Sequence, residues 1–269
     1  PWYHWLQARL GSGSAFRLRD SNGNWHRSQV ILDQSLAWEE KLSVQLPPQS
    51  RVILYRGEDL PFITCLFGAL MAGLKVCPQE DPESLEDVVE GIRPAAILDP
   101  LQRNPVERLK LSIEAPEPAI PEEVALFLQS SESIGPLQWR GITFANIEAN
   151  LKSHAVLYPE PGRYRMLSIA PWTHAFGLIL DLFLAIESGA SLIRIQNSLR
   201  RIQDQIGFCR HLSINGVVCY PQFIDQIKNE KAGHEWLRKC RTGLVGSGPI
   251  RPQIAEVLEG SGFRAGYGL

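Results

Sequence analysis

The stretch VALFLQSSESIGPLQWRGITFANI runs from Val124 to Ile147. It opens on five apolar residues, Val124 to Leu128, which read as a buried strand. A hydroxyl- and glycine-containing loop follows: Ser130, Ser131, Glu132, Ser133, Ile134, Gly135. From Phe144 the spacing predicts a helix, with Thr143 or Asn146 as its N-cap. Strand, hydroxyl-rich loop, helix is a layout in which backbone N–H groups and Ser hydroxyls converge on an anion. A Ser-rich loop between two elements is also the commonest form of a solvated connection, so its neighbours must decide.

Outward from this stretch, strand-like and helix-like runs alternate. Upstream, strands are expected at 52–55, 76–78 and 95–98, with helices at 60–74 and 82–92. Downstream, strands are expected at 165–169, 191–194, 214–219, 243–246 and 263–267. The helices between them are expected at 144–157, 178–186, 199–210, 221–229 and 254–259. This alternation predicts an α/β fold of parallel-rich sheets flanked by helices. Before it, Trp2 to Leu6 reads as an anchoring turn. A hairpin is expected over 14–31 around Asn22-Gly23, then a helix over 34–46 stopped by Pro47-Pro48. The Pro-rich, aperiodic segment 99–122 reads as a surface connection or seam. The expected subdomains are therefore 1–110, an entry hairpin plus β/α units, and 111–269, with the Ser-rich loop.

Composition bounds the function. The 269 residues are 44% hydrophobic and 21% charged, with a formal net charge of −2. That is globular composition with length for one large or two small domains. It gives no electrostatic case for nucleic acid. No apolar run is long enough for a membrane span. The five Cys fit no zinc or CxxC spacing and mostly sit in apolar runs, so they read as reduced core thiols of a cytoplasmic protein. No metal ligands are assigned.

Four later stretches carry chemistry. Pro171-Trp-Thr-His-Ala-Phe-Gly-Leu178 puts an imidazole, His174, just after a strand, where it can donate to a carboxylate or acyl phosphate. A helix-start His satisfied by backbone is the alternative. Gly216-Val-Val-Cys-Tyr-Pro221 ends a strand on Tyr220 before a Pro-started helix. Gly243-Leu-Val-Gly-Ser-Gly-Pro-Ile250 ends a strand on small residues, which let backbone approach a flat base closely. Gly262 to Leu269 ends on Tyr267, an aromatic face for stacking.

In this order the stretches resemble the motifs of the adenylate-forming superfamily: acyl-CoA ligases, peptide-synthetase adenylation domains and luciferases. The family's phosphate loop reads roughly T-S-G-S-T-G-x-P-K-G-V, followed by T-H. Ser130, Ser131, Ser133 and Gly135 fall on its hydroxyl and glycine positions, and Thr143 on the later Thr. Glu132 stands where a glycine belongs, Gln138 where the lysine belongs, Trp139 where the last glycine belongs, and Phe144 replaces the His. A carboxylate repels triphosphate and the missing lysine removes a cation, so the loop is degenerate. The resemblance implies that Ser130, Ser131, Ser133 and Gly135 cradle phosphates. It implies that Gly246, Ser247, Gly248 and Tyr267 hold adenine. It places His174, with Phe176 and Tyr220, at the carboxylic acid, His174 as the catalytic candidate.

The implied reaction is AMP-forming: a carboxylic acid and ATP, with Mg²⁺, give an acyl-adenylate that passes to CoA or to a carrier-protein thiol. The family's Mg²⁺-holding Glu falls beyond Leu269. Its ribose-holding aspartate, hinge and small C-terminal domain with the catalytic lysine match no residue here. The resemblance thus covers the large N-terminal domain only. Two readings stay open: an ATP-dependent acid–thiol ligase, or a decayed fold that binds nucleotide, acyl group or protein without turnover.

Overall fold

Parallel β/α units dominate the chain because apolar strands alternate with helices that each bury one face. The computed structural model describes residues 1–80, 85–109, 120–129, 138–195, 198–199 and 201–266, and side chains throughout these except 85–87. Two compact units are present. The first comprises Pro1–Ser12, Ser28–Ala149 and Thr173–Ala175; the second comprises Gly13–Arg27, Asn150–Trp172 and Phe176–Leu269. These units put residues 124–149 with the first, whereas the sequence reading set a seam at 110/111.

The first unit holds α1 (Trp2–Leu10), α2 (Ser28–Gln45), β3 (Arg51–Tyr55), α3 (Asp59–Met71), β4 (Lys75–Gln79), α4 (Leu85–Ile92), β5 (Ala96–Leu98), β6 (Val106–Arg108), β7 (Val124–Gln129) and β8 (Trp139–Thr143). The helix α5 (Phe144–His154) begins in it. Its sheet has the order β6-β5-β3-β4-β7-β8. The four inner strands are parallel and the two edge strands antiparallel. Helix α3 is apolar nearly all round and is buried: Phe62, Ile63, Leu66 and Phe67 are fully covered. Each such side chain contributes roughly 1.5–3 kcal/mol relative to exposure.

The second unit holds β1 (Arg17–Arg19), β2 (Trp25–Arg27), β9 (Arg165–Ser168), α6 (Ala175–Gly177, its last two residues), a π-helical turn (Leu178–Phe183), α7 (Leu184–Glu187), β10 (Ser191–Arg194), α8 (Ile202–His211), β11 (Gly216–Cys219), α9 (Pro221–Ile227), α10 (Lys231–Lys239), β12 (Thr242–Val245), α11 (Pro252–Leu258) and β13 (Phe263–Ala265). The strand order is β13-β12-β11-β9-β10-β1-β2, all parallel except β2. The core packs α8–α11 on the sheet through Ile206, Ile224, Ile227, Trp236, Leu237 and Ile254.

The same device launches an inner strand in each unit. Gly73 (φ 74°) follows α3, and Gly189 (φ 64°) follows α7. The next residue's N–H bonds back to the helix in both, Leu74 to Ala69 and Ala190 to Ala185. These are Schellman caps, whose left-handed residue suits Gly.

Several elements differ from the sequence reading. Helix α2 starts at Ser28, so the hairpin strand stops at Arg27; the buried Ile31 and Leu32 sit at helical spacing that the β-branched run disguised. Trp2–Leu10 is a helix, not a turn. Segment 99–122 contains the edge strand β6, and Lys231–Lys239 forms α10. Most consequential is β8: residues 130–138 join two antiparallel strands, and the helix begins only after β8. The helix N-terminus therefore does not follow the Ser-rich loop directly. Its first turn is closed locally: the Asn146 N–H donates to Thr143 Oγ1 at 3.1 Å, and the Thr143 N–H donates to Asn146 Oδ1 at 3.1 Å. Thr143 is the N-cap, and Asn146 reciprocates as the acidic member of a capping box normally does.

All five Cys are buried. Burial pushes the Cys77 and Cys209 thiols up to about 12, as expected of packed thiols rather than nucleophiles. Among the described residues no helix is long and apolar enough to cross a membrane.

Candidate nucleotide-binding site

In the second unit the chain leaves β9 for β10 on one side and then returns past β9 to β11 on the other. Crossovers there depart in opposite directions, which opens a crevice at the strands' carboxyl ends, the usual ligand position in open α/β sheets. Tyr220 follows β11 and N-caps α9, whose first residue is Pro221. Its ring lies 5.5 Å from that of Phe176, centroid to centroid, at 33°. Gly246 follows β12 and its N–H extends the ladder to the Cys219 carbonyl at 3.2 Å. A Cβ on Gly246 would stand 2.8 Å from the Gly266 carbonyl oxygen and 2.9 Å from the Phe176 ring. Gly246 is buried, no side chain fits there, and its backbone packs directly against the Phe176 ring. Ser247 turns the chain with a left-handed φ of 59° and, like Gly248, is exposed.

Beneath the crevice lies a buried polar group. The Ser168 hydroxyl donates to Asp181 Oδ2 and accepts from Arg194 Nη1 at 3.0 Å. Arg194 Nη1 also donates to the Ala170 carbonyl at 2.9 Å, and its guanidinium lies 4.6 Å from the Trp172 ring centroid. The Trp172 indole donates to Asp181 Oδ2 at 3.3 Å. Asp181 is 1% exposed, and its Oδ1 has no hydrogen-bond partner among the described residues. Burial pushes its carboxyl up to about 7, against the pull of Ser168, Arg194 and Trp172. The π-helical turn sets Asp181 in place. Gly177 just before it packs so closely that a Cβ would stand 2.0 Å from the Pro171 carbonyl oxygen.

In the first unit, Lys75 is 4% exposed and donates to the carbonyls of Pro121, Glu122 and Val124 at 2.6, 3.3 and 3.3 Å. Desolvation lowers its pKa. It pins the chain where β7 begins. Arg56, Glu80 and Thr173 are linked in series: Arg56 to Glu80 at 3.2 Å, and the Thr173 hydroxyl to Glu80 at 2.7 Å. Glu80 thus tethers Thr173, while His174 beside it is exposed. Trp139 opens β8, with its ring over Gly91 of α4 and against the apolar cluster of Ile53, Val88 and Phe127. It is a packing residue of the sheet.

Of the sequence-derived site residues, Phe176, Tyr220 and Gly246 converge in the second unit. Ser247 and Gly248 form the adjoining turn. His174 clusters with the first unit. Ser130, Ser131, Ser133, Gly135 and Tyr267 lie outside the described residues. Sequence reading missed Lys75, Glu80, Asp181 and Arg194. The signal was present for three of them: each is a charge inside an apolar run, as in Leu178-Ile-Leu-Asp-Leu182, and charges are buried only when partnered.

The family model described as AMP-binding enzyme matches residues 42–269. No curated protein matches the sequence. Among solved structures, a fatty acyl-adenylate ligase from L. pneumophila, in complex with acyl adenylate and pyrophosphate, superposes with TM-score 0.77 at 17% identity, covering 96% of this chain and 51% of that one. The Klebsiella oxytoca NpsA N-terminal subdomain, in complex with anthranilyl-AMSN, gives 0.76 at 13% identity, over 98% and 71%. Apo MatB from Rhodopseudomonas palustris gives 0.75 at 14%, over 98% and 59%. At these identities the likeness shows the fold. The chain spans about half the length of the fatty acyl-adenylate ligases it matches.

Proposed function

Since this chain belongs to the AMP-binding enzyme family, we propose that it is the nucleotide- and acid-binding part of an AMP-forming ligase. In the reaction a carboxylate oxygen of the acid attacks the α-phosphorus of ATP; the new O–P bond forms as the bond to the β-phosphate oxygen breaks and pyrophosphate leaves. A thiol of CoA or of a carrier protein then attacks the acyl carbon, gives up its proton and displaces AMP.

The observation that carries this reading is the cluster of Gly246, Phe176 and Tyr220 at the carboxyl ends of β11 and β12, where Gly246 packs against the Phe176 ring and the exposed Ser247-Gly248 turn adjoins it. Gly246, Ser247 and Gly248 would hold the adenine, with Tyr267 as the stacking partner named from the sequence. Phe176 and Tyr220 would give the acid an apolar wall. His174 would offer an imidazole donor to its carboxylate. Ser130, Ser131, Ser133 and Gly135 would orient the phosphates, supplying positioning rather than covalent chemistry. Mg²⁺ would neutralise phosphate charge; the described residues contain no group of three His, Cys, Asp or Glu that could hold it.

A second reading, a binding module descended from a ligase, is favoured by one pair of residues: Glu132 adds a negative charge to the phosphate loop and Gln138 removes the positive one. Calorimetric titration with ATP and AMP in Mg²⁺ separates the readings. Micromolar binding of both nucleotides, with ATP–pyrophosphate exchange driven by a carboxylic acid, supports the ligase. AMP binding without exchange supports the module. A folded chain that binds neither sinks the ligase and leaves the module only as a binder of an acyl group or a protein.

A further inference from the structure

The crevice and the buried polar group beneath it are joined by contacts. Arg194 holds the Ala170 carbonyl, and Asp181 accepts from the Trp172 indole. The Pro171 carbonyl between them is packed against Gly177. The residue before Gly177 is Phe176, whose ring touches Gly246 and faces Tyr220. The segment is therefore held at its start by polar contacts and at its end by ring contacts to the nucleoside surface. We propose that Asp181 and Arg194 are positioning residues for Phe176, and that the state of their hydrogen-bonded relay through Ser168 is read out as nucleoside affinity. This rests on the assignment of the crevice to adenine.

The relay has two states. With Asp181 ionised, Oδ2 is a strong acceptor for Ser168 and for the long, 3.3 Å bond from Trp172. With Asp181 neutral it accepts weakly, and the Trp172 bond is the first to loosen. The bare Oδ1 and full burial oppose ionisation, while Arg194 supports it, so the two states lie close in energy near neutrality. The other groups around Asp181 do not change charge there. Burial raises the Tyr158 phenol and the Cys219 thiol well above their ordinary values, and the Asp181 charge raises them further. Arg194 stays protonated throughout. Asp181 is the group of this cluster that switches.

The test uses adenosine, which has no phosphate to titrate near neutrality, and follows the Trp172 indole N–H and the Phe176 ring by NMR from about pH 5.5 to about pH 8.5. The expected result is a Trp172 indole shift with a midpoint near neutrality, a Phe176 shift with the same midpoint, and adenosine affinity about fivefold weaker on the acid side. Asp181→Asn should abolish the indole titration and flatten the affinity profile. If that variant fails to fold, Ser168→Ala serves: it removes a donor to the carboxylate and should move the midpoint upward. An indole that does not titrate, a Phe176 ring that does not follow it, or affinity that stays flat while both rings titrate would each overturn the proposal. If the folded protein binds no adenosine at any pH, the adenine reading fails on its own account. The positioning claim is then decided by whether Phe176 follows Trp172.

Discussion

Lys75 Nζ lies 2.6 Å from the carbonyl oxygen of Pro121 and is the donor that three carbonyls, those of Pro121, Glu122 and Val124, share at the entrance to β7. A buried ammonium is costly unless its protons are taken up, and here backbone carbonyls take them, with the Glu122 and Glu123 charges adding support. Lys75→Met keeps the stem but strands the carbonyls. It should lower stability by roughly 1–3 kcal/mol, read from the urea midpoint, while Lys75→Arg loses less. An unchanged midpoint for Lys75→Met would show that water replaces the ammonium.

Gly246→Ala places a methyl group where the Gly266 carbonyl and the Phe176 ring already stand. One must move, and either movement spoils the surface proposed for adenine. AMP affinity should fall about tenfold or more, about 1.4 kcal/mol in binding, and the overpacked site should also lose roughly 1–3 kcal/mol of stability. Calorimetry of the variant with AMP checks this. Equal affinity would remove Gly246 from the site.

The strands of both sheets were legible because β-branched and apolar runs bounded by Gly and Pro carry a local signal. The positions of Tyr220 and Gly246 just past strand ends were legible because small and aromatic residues there follow an apolar run directly. Strands β6 and β8 were not. Val106–Arg108 and Trp139–Thr143 are half-exposed edge strands, whose pairing is set by the neighbour and not by their own pattern. Missing β8 made the helix appear to follow the Ser-rich stretch directly. The relay through Asp181 was invisible for a different reason: Ser168, Trp172, Asp181 and Arg194 are spread over 27 residues and meet only when β9, β10 and the π-helical turn pack.

Asp181 also makes a stability statement. Its folded pKa, about 7, lies above the unfolded value of roughly 3.9. Between these values the unfolded chain has released the proton and the folded chain has kept it. Wild-type stability should therefore fall as pH rises from about 4 to about 7, then level off once both states are ionised. Asp181→Asn cannot ionise and lacks this slope. Its unfolding free energy relative to wild type, read from urea unfolding, should climb across that window by an amount on the order of a few kcal/mol and stay constant above it. A constant difference from pH 4 to 8 would mean that Asp181 is ionised throughout.

The three departures in the phosphate loop are separable. Glu132→Gly with Gln138→Lys removes one negative charge and adds one positive charge beside the proposed triphosphate. ATP affinity should rise about tenfold, with AMP affinity nearly unchanged, because the charges act where ATP has phosphates that AMP lacks. Trp139→Gly would restore the loop's last glycine, yet the Trp139 ring covers Gly91 and closes the apolar cluster under α4. That change should cost roughly 3 kcal/mol of stability and give no further ATP affinity. Parallel calorimetry and urea unfolding of the double variant and of Trp139→Gly read both effects. A rise in ATP affinity on Trp139→Gly would return that residue to the loop; no change in the double variant would mean that triphosphate does not meet residues 132 and 138.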